Sequence, residues 1–368
     1  SAVLYGKKYE IKKVISICEE AFTHFAIISS QREWNAMVNI LVLLGLMYLA
    51  TGWPRKTVEV GEKAINLSLL VRRRAAKVQA AAILSAGLYY TGEYQKSLQN
   101  ALAVHGLAVK LDYRWWVSFL EVVMGRDYLG LGDLDKSWSL SQSVLEREKE
   151  FHYDAMYPAA FLLEGEIHRL FGDTKTAIGL FKKGMEQRPV CFQSLENSVM
   201  FAYTLAEINP SESLTILDEL VHKTEESGLG MITLPARVGK CLVATSLGRF
   251  EGLGPEIDEI MEEMAKRNFG TCAYYSELIK ARTENAVGDK VAARQLYQKI
   301  IEPGGHVTNL WVQLKGITDL MSLAESAAEK ARLKKDLGRI LALIGEKSAQ
   351  QPLKRLFYSF RKKLLDNQ

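Results

Sequence analysis

Thr91-Gly92-Glu93-Tyr94 joins two apolar-periodic segments through a glycine, and the same setting recurs along the chain. Gly52, Gly92, Gly132 and Gly172 follow one another at intervals of 40 residues, and Gly248 and Gly288 are again 40 apart. A helix hairpin returning at a fixed period of this size is the mark of a stacked helical repeat. Glycine at the end of a helix can take the left-handed conformation that other residues avoid, so each of these positions marks where one helix stops and the chain folds back. No segment alternates apolar and polar residues long enough to argue for a sheet, so the expected class is all-α: an α-solenoid of seven or eight helix hairpins.

Outward from Gly92, the second hairpin spans about 75–111, the first about 34–70 with Pro54 opening its second helix, and the third about 115–151. A fourth runs from about 157 to 188 and closes at Pro189. A fifth, about 194–227, replaces the glycine turn with Ile208-Asn209-Pro210-Ser211, where Ser211 is the expected cap. The sixth turns at Gly248 with a longer loop through Gly252 and Gly254, the seventh spans about 271–302, and an eighth about 310–344. Val3-Leu4-Tyr5-Gly6-Lys7-Lys8-Tyr9 looks like the Gly92 turn without its first helix, which suggests a chain cut from something longer. The expected division is a repeat array over 1–345, with turns near Gly6, Gly52, Gly92, Gly132, Gly172, Asn209, Gly248 and Gly288, and a basic amphipathic capping helix within 346–368.

Hydrophobic residues make up 48% of the 368, enough for a continuous core. The net charge of +4 is uneven: residues 332–368 hold ten Lys/Arg against three Asp/Glu, leaving 37 basic against 40 acidic residues in the remainder. Apolar runs such as 40–50 are too short to span a bilayer, and the first residues do not form a cleavable signal. Cys18, Cys191, Cys241 and Cys272 lie far apart in apolar settings and are expected to be reduced, buried thiols of a cytoplasmic protein.

Catalytic signatures fail on inspection. Val238-Gly239-Lys240-Cys241 has the end of a phosphate loop, but Leu234 stands where the upstream glycine belongs and Cys241 where Ser or Thr would ligate magnesium. Gly130-Leu131-Gly132-Asp133 has no strand before it and sits at a repeat turn. His24, His105, His152, His168, His222 and His306 show no spacing that sets two metal ligands on one helix face. No enzyme activity, metal or cofactor is expected.

The hairpins resemble tetratricopeptide repeats. In the fourth unit Gly165 and Ala177 take the small positions of the two helices, Phe181 the large position one turn on, and Pro189 the terminal proline; Gly45 with Tyr48, Gly125 with Tyr128, and Ala281 with Ala293 and Tyr297 repeat parts of the pattern. Ser85 and Ser97, Gly61 and Leu253 depart from it. The usual repeat of that family is shorter by about six residues. The long period is similar to that of the carboxy-terminal sensor regions of large bacterial signalling ATPases, cyclases and transcription regulators. The resemblance implies a right-handed superhelix acting as a protein-interaction, scaffold or sensory module, with an effector domain ahead of it.

By the family's register the first helices line the concave surface, and its exposed positions fall on Asn39, Gln79, Tyr89, Tyr90, Arg126, Glu166, Arg169, Tyr275, Arg282 and Asn285. Tyr and Arg are the side chains that most often anchor interfaces, so a protein or peptide segment is the expected partner, against ordinary solvated scaffold positions as the competing reading. Replacing Tyr89, Arg126 and Arg169 together by Ala is expected to abolish binding with folding nearly intact. Two adjacent tryptophans, Trp115 and Trp116, cannot face one side of a helix, so one is expected between units and the other at the groove edge or in solvent. Lys354, Arg355, Arg361, Lys362 and Lys363 form a basic face opposite Leu356, Phe357, Phe360 and Leu364; a cap on the last hairpin is the expected role, and nucleic-acid contact the weaker alternative.

Overall fold

The computed structural model describes residues 8–24, 31–71, 73–151, 156–186, 192–302, 309–345 and 350–366. Among them are eighteen α-helices and no strand. After α1 (Lys8–His24), the hairpins are α2 (Gln31–Ala50) with α3 (Pro54–Ser68), α4 (Arg74–Tyr90) with α5 (Tyr94–Lys110), α6 (Arg114–Gly130) with α7 (Leu134–Phe151), and α8 (Tyr157–Leu170) with α9 (Thr174–Glu186). They continue as α10 (Phe192–Leu205) with α11 (Pro210–Ser227), α12 (Gly230–Ser246) with α13 (Leu253–Arg267), α14 (Ala273–Ala286) with α15 (Lys290–Ile301), and α16 (Leu310–Ser322) with α17 (Ala327–Gly345), before α18 (Gln351–Asp366). The chain is an all-α helical-repeat solenoid. The turn expected at Gly6 lies outside the described residues.

Each turn is built the same way. Gly52, Gly92, Gly132, Gly172, Gly248 and Gly288 all have φ between +65° and +93°. The following amide reaches back five residues to close the helix end, as from Glu93 to the Leu88 carbonyl at 2.9 Å and Asp133 to Tyr128 at 2.8 Å. After every one of these glycines except Gly248, the next residue immediately precedes the following helix, and Asp289 there accepts from the Ala292 amide at 2.9 Å. In the fifth hairpin the cap is Asn209, which accepts from the Glu212 amide, and not Ser211. Pro210 occupies the first helical position, so the cap must precede it.

Small residues set the helix spacing. A Cβ on Gly165 would enter the Phe181 ring, one on Gly125 would lie 2.8 Å from Leu163, and one on Gly239 would strike Tyr203. Gly239 is thus a packing residue in the middle of α12, and Lys240 pairs with Asp218 at 2.6 Å. Where Ser85 and Ser97 replace smaller residues, they form a buried polar seam: the Ser97 hydroxyl lies 2.9 Å from the Ser85 carbonyl and 2.7 Å from Asp127 Oδ2, and Asn100 donates to Ser85 Oγ. Trp115 and Trp116 are both half-buried and pack edge to face at 4.5 Å, with Trp115 stacked on Phe119 and Trp116 reaching the α2–α4 cluster.

The first helices form a continuous inner layer, each touching the next from α2 through α16. After about four and a half hairpins the solenoid meets itself. The Gly52 turn lies against the start of α12, where a Cβ on Gly52 would be 2.8 Å from the Gly230 carbonyl carbon. The Gly92 turn lies against the segment entering α14, and the Gly270 amide donates to the Tyr90 carbonyl at 2.8 Å. The Gly132 turn meets Leu310 and the Gly172 turn meets Phe360. Gly230 and Gly270 are required on the receiving side, because a Cβ on Gly230 would overlap the Thr51 carbonyl and one on Gly270 the Thr91 carbonyl. Arg267 reinforces the seam by donating to the Thr51 carbonyl at 2.9 Å.

Among the described residues one window, Glu33–Ala50, is long and apolar enough to cross a membrane. More than half of it is buried inside the fold, packed by α1, α3 and α4.

Candidate functional site

Closure of the solenoid converts a concave face into a lumen. A cavity of about 150 Å³ lies where the inner helices α4, α6, α8, α10, α12, α14 and α16 converge. That is well above the ~10–15 Å³ needed for one water on this measure. Six of the ten residues expected on the concave surface line it: Tyr89, Tyr90, Arg126, Glu166, Arg169 and Tyr275. They are not on an open groove. Tyr90, Arg126, Arg169 and Tyr275 are 5–7% exposed, and Tyr89 and Glu166 are half-buried. The pitch of the array folds later hairpins over the face that register alone leaves open.

The remaining four lie elsewhere. Asn39 is exposed and Gln79 half-buried, both away from the cavity. Arg282 is half-buried and pairs with Asp319 on α16 at 2.8 Å, one turn before half-buried Asn285.

Two guanidinium groups organise the lumen. Arg126 makes a forked pair with Glu196 of α10, Nη2 to Oε2 at 2.6 Å and Nη1 to Oε1 at 3.1 Å. The Tyr90 hydroxyl accepts from Arg126 Nη1 and donates to Glu196 Oε1 at 2.5 Å. Buried pairs of this kind persist only when their hydrogen bonds are made, and here Arg126 Nε alone lacks a protein partner. Arg169 is held differently. Its Nη1 donates to the Tyr275 hydroxyl at 3.1 Å and its guanidinium carbon sits 4.0 Å from the centroid of the Trp311 ring, while Nε and Nη2 have no protein partner. Burial pushes the Glu166 carboxyl up, against the pull of Arg169 and Arg126. Burial likewise lifts the Cys272 thiol beside the cavity to about 12, so it stays a neutral thiol.

The residues that register missed here are Glu196, Tyr203 and Trp311. In the early hairpins the lumen takes residues near the turn: Arg126 is six positions before Gly132, and Glu166 and Arg169 are six and three before Gly172. In the later hairpins it takes residues from the opposite end: Tyr275 is thirteen positions before Gly288, and Trp311 is the second residue of α16. The cavity crosses the inner layer obliquely, so register reached Tyr275 on the far wall and passed over Glu196, Tyr203 and Trp311. The burial of Arg126 and Arg169 also corrects the expectation that Ala at Tyr89, Arg126 and Arg169 leaves folding intact, since it would strand Glu196 in the interior.

Of the basic tail, Lys354 is half-buried and Arg355, Arg361 and Lys362 are exposed; the Lys363 side chain lies outside the described residues. The apolar face of α18 is covered: Leu353 and Phe357 are buried, and Phe360 packs edge to face on Phe171 at 6.3 Å. The helix thus touches α17 and also reaches back to the Gly172 turn. Cys18, Cys241 and Cys272 are buried free thiols, and Cys191 lies outside the described residues. No group of metal-ligating side chains occurs among the described residues. Comparison with protein-family models gives no match, and neither does comparison with curated protein sequences.

Proposed function

We propose that this solenoid is a non-catalytic, tetratricopeptide-type sensor module, cytoplasmic, whose effector is a small molecule taken into the lumen. The observation that carries the reading is the convergence of Tyr89, Tyr90, Arg126, Glu166, Arg169 and Tyr275 on one cavity with a buried guanidinium edge left unpartnered by protein. Partly enclosed cavities with a few placed polar groups among aromatic walls suit small ligands better than extended segments. A protein or peptide segment on an open concave face, as register implies, is less well supported because four of its anchors are 5–7% exposed. The resemblance to long-repeat sensor regions supports a regulatory role beside an ATPase, cyclase or DNA-binding domain, with binding stabilising one closure of the solenoid over another. Nucleic-acid binding through α18 is the weaker alternative.

The test is thermal unfolding of the chain in the presence of a cell extract split by size. The low-mass fraction is expected to raise the midpoint, as any ligand that binds only the folded state must. A rise confined to the macromolecular fraction would return the open-face reading.

A further inference from the structure

The chemistry of the ligand can be read from the lumen, an inference that rests on the small-molecule reading above. Arg169 is 5% exposed, and Nη1 alone has a protein partner. The two remaining nitrogens, Nε and Nη2, share one edge of the guanidinium, where their N–H bonds run parallel and match the two oxygens of a carboxylate. A buried cation with no bonded counter-charge is costly, and the Trp311 ring beneath it compensates only in part. Arg126 offers the contrast, because Glu196 already occupies its outer edge.

Glu166 supplies the second half of the site. It lies one helical turn before Arg169 on α8, lines the same cavity, and makes no hydrogen bond or ion pair among the described residues. Arg126 and Arg169 balance Glu166 and Glu196, so the four side chains sum to zero formal charge. A phosphate dianion would add negative charge beside two carboxylates, and a simple cation would face two guanidinium groups. A molecule with one carboxylate and one ammonium adds no net charge and meets both the open guanidinium edge and the carboxylate that makes no hydrogen bond.

We propose that the lumen binds a small amino-acid-like zwitterion, its carboxylate on Nε and Nη2 of Arg169 above Trp311, its ammonium toward Glu166, and its side chain among Leu162, Met200 and Ile232. The size agrees. A cavity of about 150 Å³ offers roughly ten water-sized positions, the bulk of a free amino acid and less than that of a nucleotide.

Calorimetric titration of the wild-type chain, Arg169→Lys and Glu166→Gln separates the possibilities. The probes are the common free amino acids, the amines and carboxylic acids that each lack one of the two charges, a hexose phosphate and a disaccharide. At least one amino acid is expected to bind, and its carboxylate-free amine is not. Arg169→Lys keeps the charge but loses the fork, and is expected to weaken that amino acid about tenfold or more. Glu166→Gln should weaken the amino acid while leaving binding of the amine-free acid unchanged. Because Glu166 is half-buried and Gln is isosteric, this variant stays informative if Arg169→Lys does not fold. Binding of the hexose phosphate or disaccharide with every amino acid inert would overturn the zwitterion and leave the lumen as a ligand site. Failure of every small probe would overturn both.

Discussion

Arg126 and Arg282 hold the same place in their hairpins, each six residues before a turn glycine, yet they do different things. Arg126 is 7% exposed and forks onto Glu196 across the lumen, whereas Arg282 is half-buried and pairs with Asp319 on the neighbouring inner helix. Their turns differ in parallel. The Gly132 turn lies against Leu310 at the start of α16, and a Cβ on Gly288 would meet nothing within 4 Å. Register decides which face of a helix a residue occupies. What that face meets is decided by how far the solenoid has advanced, and only the first four hairpins have a later coil lying over them.

The largest effect should fall on this pair of arginines. Arg126→Met leaves half-buried Glu196 without its partner and is expected to cost about 3 kcal/mol in urea unfolding, with much of the loss recovered when Glu196 is also made apolar. Arg282→Met removes a half-exposed pair and should cost no more than about 1 kcal/mol. Equal costs would erase the distinction between the two halves.

Glycines give the next largest contrast. Gly270→Ala pushes a methyl group into the Thr91 carbonyl across the seam and is expected to cost about 1–3 kcal/mol, whereas Gly288→Ala pays only for its left-handed φ of +93°, about 1 kcal/mol. The same unfolding measurement decides it.

A pH dependence should follow from the covered half. Asp127 is fully buried, and desolvation, opposed by the Ser97 hydroxyl and Arg126, holds its carboxyl at about 8 against an ordinary 3.8. Between these values the folded chain keeps a proton that the unfolded chain has released, so this group's contribution to stability falls as pH rises from about 4 to about 8 and is level above. Glu164, lifted to about 7 by burial, adds a loss of the same sign. Asp127→Asn is expected to flatten the decline, measured as unfolding midpoints across that range. An unchanged profile would place the buried proton elsewhere.

The smallest effect belongs to α18. Replacing Arg361 and Lys362 by Ala touches exposed side chains and should move stability by less than about 0.5 kcal/mol, while Phe360→Ala, which uncovers the Gly172 turn, should be clearly measurable by thermal unfolding.

The hairpins were legible because their signals are local. Glycines at a fixed spacing, small residues at Gly165 and Gly125, and Pro54 opening a second helix each act within one or two neighbouring helices. The fifth turn at Asn209 was placed correctly and its cap misassigned, since Pro210 moves the helix start. The lumen was legible by half. Positions near the turn found Tyr89, Tyr90, Arg126, Glu166 and Arg169, whereas Glu196 and Trp311 face them through contacts 70 and 142 residues away in sequence. No local pattern encodes that distance, because it depends on the pitch summed over several hairpins.

The most direct test of a closed lumen against an open face is amide hydrogen exchange along the seam, measured on the chain without added ligand. The amides of 90–94 and 268–273, joined by the bond from Gly270 to Tyr90, are expected to exchange far more slowly than those of the undocked turn at 286–290. Equally fast exchange at all three would mean that the coils do not meet, and that the concave residues lie on an open face after all.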